Sequence, residues 1–179
     1  LEDLAVWADG IISVCPPDAA IALASAVYAT PFDGLYVDAN AIAPNTAKEI
    51  AQIFGSGAYV DGGIIGPPAH SSGTTRLYLS GQHAQMVASW FSQGALEAIA
   101  LPEGDGAEAM VAASALKITY AAYSKGHSAL LLAVNALASS SGVSEVLNAE
   151  WNISQPGLTQ RSNAAAKATA PKAWRFAGE

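Results

Sequence analysis

Residues 111–128 read VAASALKITYAAYSKGHS, an apolar, alanine-rich run with Lys117 set in its middle. A lysine in a buried stripe is costly unless it is paired or put to work. On a helix turning about 100° per residue, Tyr120, Ser124, Ser128 and Asn135 each fall within roughly 60° of Lys117. Leu116, Ile118, Ala122 and Leu130 lie on the other faces, and Leu132 borders the stripe. A narrow polar stripe of this kind can face a cleft, where a desolvated ε-amine serves as a general acid or base. It can equally face water, with Lys117 snorkelling from the helix edge. Both readings stand on the residues alone. Lys125, about 80° away, reads as a solvent or interface lysine, and His127 as a structural residue at the stripe's edge.

Other groups with chemical capacity gather where apolar runs end. Asn40 follows one such run and precedes a helix opened by Pro44. It can cap, form an Asx turn, or hydrogen-bond a ligand at a strand end. Gly62, Gly63 and Gly66 with Pro67-Pro68 make either a tight turn or a loop whose backbone approaches a substrate closely. Cys15 reads as an apolar filler rather than a nucleophile. His70 and His83 stand alone, without metal-type spacing to a Cys or an acid, so no metal site is expected. No Ser-His-Asp set, phosphate loop or GxGxxG run occurs.

The elements that must hold these residues alternate. ADGIISVCPP (8–17), GLYVDAN (34–40) and GAYVDGGIIG (57–66) are continuous apolar runs with the character of buried parallel strands. Between them lie a helix from about Asp18, its expected cap, to Ala29 and another from Pro44 to Phe54. RLYLSG (76–81) and LEAIAL (96–101) add two strands around a helix at 82–93, and residues 2–8 are a short helical piece. This is the α/β alternation of a mostly parallel sheet. In such a sheet, ligands bind beyond the carboxyl ends of the strands. Those ends hold Cys15-Pro16-Pro17, Asp38-Ala39-Asn40 and the run from Asp61-Gly62-Gly63. After the break PEGDG (102–106) one long helix is expected from Ala107 to about Ser139. Residues 151–179 read as a helix fragment with loops. The strand ends and the lysine-bearing helix would together form a cleft between two domains.

The totals narrow the class. The 179 residues suffice for one domain and part of another, and they carry 8 basic against 15 acidic residues, a net charge of −7. That argues against nucleic acid or an anionic membrane as the main partner. With 51% hydrophobic and 13% charged residues the chain is apolar, yet no apolar stretch reaches membrane-span length. Long apolar faces of this kind suit oligomerisation or domain packing. One cysteine permits no internal disulfide and fits a reducing, cytoplasmic setting. The start, LEDLAVWADG, has neither the basic region of a signal peptide nor an initiator Met, and reads like the middle of a longer polypeptide.

Together these pieces resemble the β-hydroxyacid dehydrogenase family, the group of 6-phosphogluconate and 3-hydroxyisobutyrate dehydrogenases. ADGIISVCPPDAA is similar to its Pro-containing strand-end loop beside the cofactor. YVDANAIAPNTAKEIA resembles its Asp-x-x-x-x-x-Pro segment, YVDGGIIGPPA its Asp-x-x-x-Ser-Gly-Gly substrate loop, and ALKITYAAYSKG the helix of its catalytic lysine. A subgroup of general NAD(P)-dependent oxidoreductases shares Gly-Pro-Pro, the later Lys-Gly, and a PxAWRxxGE stretch like Pro171–Glu179.

The resemblance implies the C-terminal part of an α/β Rossmann-type NAD(P)-binding domain over 1–105. An all-α substrate and dimerisation domain would follow over 106–179, entered through a long interdomain helix. It also implies that the strand–GxGxxG–helix opening and the end of the helical domain lie outside this chain. Lys117 would be the general acid/base, and Asn40 would lie near the nicotinamide and substrate in a catalytic role. Cys15, Pro16 and Pro17 would line the NAD or NADP site. Two departures from the family pattern occur: its Asn four residues after the lysine is Ala121, and its Ser-Gly-Gly is Ile65-Gly66-Pro67. Tyr120 and Ser124 could then share in substrate binding. The implied activity is hydride transfer between nicotinamide and a small β-hydroxy acid, with or without decarboxylation, in a homodimer. An imine or carbonyl reductase of the same fold, or an inactive binding protein that keeps it, are the alternatives.

Overall fold

The computed structural model describes residues 1–169, which divide into two compact units, Leu1–Thr119 and the chain from Tyr120 onward. The stretch Pro171–Glu179, likened above to PxAWRxxGE, lies outside the described residues.

In the first unit the short α1 (Glu2–Ala5) leads to β1 (Gly10–Ser13), a 3-10 turn (Pro17–Ala19), α2 (Ala20–Tyr28), β2 (Leu35–Asp38), α3 (Pro44–Phe54) and β3 (Tyr59–Ile65). There follow β4 (Thr75–Ser80), α4 (Ala84–Ser89), β5 (Leu96–Ala100), α5 (Gly106–Met110) and the opening turns of α6 (Ala112–Ser140). The strands form one sheet in the order β1-β2-β3-β4-β5. β1, β2 and β3 pair in parallel, β4 runs antiparallel to β3, and β5 is parallel to β4. The reversal at β4 has a simple cause. A parallel return needs a crossover of a dozen or more residues, and the connection 66–74 is too short to supply one.

Successive side chains of a strand point to opposite faces, so each apolar run feeds two cores. Ile11, Tyr36 and Tyr59 pack with Ala24, Val27 and Ile50 from α2 and α3, and Tyr36 stacks on Phe54 at 4.3 Å between ring centres. Val37, Val60, Leu77 and Leu79 pack on the other face with Ala84 and Val87 of α4. Each fully buried aliphatic side chain among them contributes about 1.5–3 kcal/mol.

Two local expectations are corrected. Asp18 does not cap α2: Pro16-Pro17 set a 3-10 turn first, closed by the Ala19 N–H on the Pro16 carbonyl at 2.9 Å, and the helix starts behind it from Ala19 without a side-chain cap. The single long helix from Ala107 is broken at Val111, whose φ of −113° and ψ of 26° leave the helical region between α5 and α6.

The second unit holds the rest of α6 with α7 (Ser144–Ser154) and α8 (Leu158–Thr169). Gly142, at φ +68°, ends α6: the Val143 N–H reaches the Ala138 carbonyl at 2.9 Å and the Gly142 N–H that of Ser139 at 3.2 Å. This is a Schellman closure, and it turns the chain into a helix (α7) that the sequence reading does not place. Asn135 Nδ2 ties α6 to α8 through Ser162 Oγ at 2.6 Å. No helix among the described residues is long and apolar enough to cross a membrane.

Candidate functional site

Lys117 sits two turns into α6 and is half-buried; its Nζ donates to the Ile64 carbonyl of β3 at 2.6 Å. No ion-pair partner accompanies it among the described residues. Burial therefore acts alone and holds its pKa below the ordinary lysine value. The helix comes this close to the strand because residue 63 is glycine. A Cβ there would lie 2.8 Å from the Ala113 carbonyl oxygen and 3.2 Å from Lys117 Cβ.

The start of α6 is held by residues outside the expected set. The first N–H groups of a helix have no partner within it. Here the Ser114 N–H donates to Asp61 Oδ2 at 2.7 Å, and the Ala113 N–H to Ser80 Oγ at 2.9 Å. Ser114 Oγ donates to Asp61 Oδ1 at 2.5 Å, and Ser80 Oγ lies 3.1 Å from both Asp61 Oδ2 and the Met110 carbonyl. These bonds turn the backbone out of its helical pattern around Val111, which accounts for the break there. Asp61 is fully buried in mid-strand rather than at a strand end. Desolvation pushes its pKa up to about 6 against the opposing pull of the Ser114 and Ser80 donors.

Asp61 belongs to a row that crosses four strands. The register pairs Ser13 with Asp38, Asp38 with Asp61, and Asp61 with Ser80, and all four are buried. Asp38 Oδ1 accepts the Asn40 N–H at 2.9 Å, closing an Asx turn that belongs to Asp38. Its Oδ2 has no hydrogen-bond partner among the described residues, and burial raises its pKa. Asn40 does not cap α3, which starts from Ala43 without a side-chain cap. Its Oδ1 accepts the Cys15 N–H at 2.5 Å and its Nδ2 donates to Ser13 Oγ at 2.9 Å, so both ends of the amide are engaged within the protein. The Cys15 N–H can only donate, and this sets the amide's orientation.

The remaining expected residues are placed as follows. Cys15 is a half-buried free thiol, Pro16 is exposed, and Pro17 opens the 3-10 turn. Ile65, expected to touch substrate, closes β3 with its side chain buried. Gly66 serves packing: at φ +131° it lies against Thr74 and Thr75, where a Cβ would meet the Thr74 carbonyl oxygen at 2.4 Å. Pro67 is exposed and its carbonyl accepts the Thr75 hydroxyl. Tyr120, Ala121 and Ser124 fall in the second unit. There Tyr120 is exposed, Ala121 is buried, and Ser124 Oγ bonds back to the Tyr120 carbonyl at 3.2 Å.

Lys117, Asn40 and Cys15 thus share the sheet unit, with Gly62 and Gly63 lying between the end of β2 and the start of α6. A cavity of about 480 Å³ in the same unit, lined by Ser56, Gln82, Leu101 and Glu103 among others, lies toward the amino end of β3 and involves none of these residues. Among the described residues no group of three or more His, Cys, Asp or Glu is assembled that could hold a metal ion. Ser80 and Ser114 escape the sequence reading, and Asp61, read there as a strand-end residue, sits in mid-strand with both of them on its carboxylate. The available signals were an acid inside an apolar strand and a serine three residues before Lys117 on the same helix face.

No family model and no curated protein matches this chain. Solved structures do. The conserved protein MTH1747, of unknown function and described as structurally similar to 3-hydroxyacid dehydrogenases, matches with a TM-score of 0.66 at 23% identity, over 93% of this chain and 63% of its own. The 3-hydroxyisobutyrate dehydrogenase of Mycobacterium tuberculosis, solved with L-serine, matches at 0.58 and 16%, over 87% and 54%. A variant imine reductase of Myxococcus stipitatus, in complex with NAD+, matches at 0.53 and 22%, over 92% and 58%. The chain therefore spans less than two thirds of the length of each. At these identities the likeness establishes the fold, an α/β Rossmann-type sheet followed by helices, as in the hydroxyacid dehydrogenase-like and imine reductase structures.

Proposed function

We propose that this chain is part of an NAD(P)-dependent oxidoreductase that transfers hydride to or from a small β-hydroxy acid, with Lys117 as the general acid/base. The observation that carries the reading is a half-buried amine with no counter-ion among the described residues, aimed by one hydrogen bond to the Ile64 carbonyl. Desolvation raises the fraction of neutral amine, which is the form that accepts a proton. One N–H stays on the Ile64 carbonyl and leaves the nitrogen lone pair for the substrate hydroxyl. As the O–H proton moves to Nζ and the adjacent C–H leaves as hydride, the alcohol becomes a carbonyl; in the reverse direction Nζ returns the proton.

The residues present fit the nicotinamide end of the cofactor. Cys15, Pro16 and Pro17 would offer it an uncharged surface beyond the end of β1, and Asn40 fixes the backbone there through the Cys15 N–H. When bound, the dinucleotide supplies the hydride acceptor or donor. Asn40 acts in this reading by holding the strand-end loop, because its amide is already engaged.

A second reading, an imine or carbonyl reductase, is supported by the imine reductase matches. Ala121 and the buried Ile65 also provide no side-chain donors for a substrate carboxylate. Assays of the full-length protein with NADH and NADPH, against a panel of β-hydroxy acids and one of cyclic imines, separate the two. Lys117→Ala should lower turnover by about 10²–10⁴-fold on the true substrate class and leave cofactor affinity nearly unchanged. Near-normal turnover in that variant would remove Lys117 from the chemistry.

A further inference from the structure

A carboxylate at zero exposure is among the least expected residues for the middle of a strand, and Asp61 is one. Its environment is built around it. The Ser114 N–H and O–H take one oxygen each, Ser80 adds a third donor at 3.1 Å, and Tyr59 Oη approaches at 3.5 Å. The N–H comes from the first turn of α6, where the helix dipole also favours negative charge. A carboxylate that grips both the backbone and the side chain of one residue fixes the helix in rotation as well as in translation. An apolar contact at the same place would leave the helix free to slide.

Three residues further along both elements the second tie occurs. Ile64 follows Asp61 on β3 by three positions, and Lys117 follows Ser114 on α6 by three. Each tie spans the same 53 residues of sequence, so a slip of the helix displaces both together. Gly63, against Ala113 and Lys117 Cβ, keeps strand and helix in contact between the ties.

We propose that Asp61 is a positioning residue for Lys117: by holding Ser114 at the start of α6, its carboxylate sets where on β3 the Lys117 amine docks. The role of Lys117 as acid/base rests on the function proposed above; its positioning by Asp61 does not.

Trace labelling of the full chain with acetic anhydride across pH, quantified lysine by lysine, reads the titration of Lys117 without any assay of turnover. In the unsubstituted protein Lys117 should titrate below the ordinary lysine value. In Asp61→Ala the two ties come apart, and Lys117 should shift up toward that ordinary value. Ser114→Ala removes the hydroxyl and keeps the N–H, so its shift should be smaller and of the same sign. Asp61→Asn keeps one acceptor and should retain most of the depression. Should Asp61→Ala fail to fold by circular dichroism, Ser114→Ala and Asp61→Asn carry the comparison. A folded Asp61→Ala or Ser114→Ala protein with Lys117 titrating as before would overturn the proposal. If the shift occurs while Lys117→Ala keeps normal turnover, the positioning stands and the acid/base reading falls.

Discussion

Two buried acids and one half-buried base shape the residue scale. Asp61 in the folded chain keeps its proton up to about pH 6, whereas an unfolded aspartate releases it near 3.8. Between those values the folded state binds more protons than the unfolded one, so stability is highest at the acid end and falls as pH rises through the window. The loss should be on the order of 2–3 kcal/mol and should level off above about pH 6. Urea unfolding at steps from pH 4 to 7 measures it. Asp61→Asn should flatten the slope, leaving only the part due to Asp38, whose pKa is raised by burial in the same direction. An unchanged slope in Asp61→Asn would show that Asp61 is not the group responsible. Lys117 acts with the opposite sign: its depressed pKa removes stability at neutral pH and restores it only as the solution becomes alkaline. Both Asp61 and Lys117 are held at a cost to stability, which is expected of residues placed for work.

At the scale of elements, the decisive contact is that between β3 and the first turns of α6. Both elements are legible as apolar runs in the sequence, and the position of Lys117 within one of them places it on the helix. The glycines of GAYVDGGIIG read there as a turn or a substrate loop, whereas Gly63 serves the packing of strand on helix. A Cβ at 63 would overlap the Ala113 carbonyl, and backbone cannot give way as a flexible side chain can. Gly63→Ala should therefore destabilise the chain by about 1–3 kcal/mol. It should also lengthen the Lys117–Ile64 hydrogen bond, which differential scanning calorimetry and a crystal structure of the variant would measure. A variant as stable as the parent would show that α6 is not seated on Gly63. The break at Val111 belongs to this scale too. Periodicity runs unbroken through 107–139, and only the partners offered by Ser80 and Asp61 divert the backbone there.

For the whole molecule, the second unit bears on assembly. Leu130, Leu137, Val146 and Ile153 are each more than 60% exposed on α6 and α7. Exposed apolar area on this scale marks an interaction surface, and we propose a homodimer through the helices as its occupant. Sedimentation of the full-length protein should give a dimer, and Leu137→Glu should shift it toward monomer by at least tenfold in dissociation constant. A parent protein that sediments as a monomer at micromolar concentration would remove the dimer from the description.

What the sequence determined by itself is local: the succession of strands and helices through β5, the opening of α3 at Pro44, and the placement of Lys117 on an apolar helix. Each of these follows from the order of apolar residues along the chain and from the fixed backbone habits of proline. The tertiary structure decided the reversal of β4, the Ser13–Asp38–Asp61–Ser80 row and the grip of Asp61 on Ser114. The row and the grip depend on which buried groups the fold brings together, the grip across 53 residues of chain, and no periodicity carries that information. A buried polar group must find its partner wherever the fold brings one, and the fold brought Ser114 to Asp61.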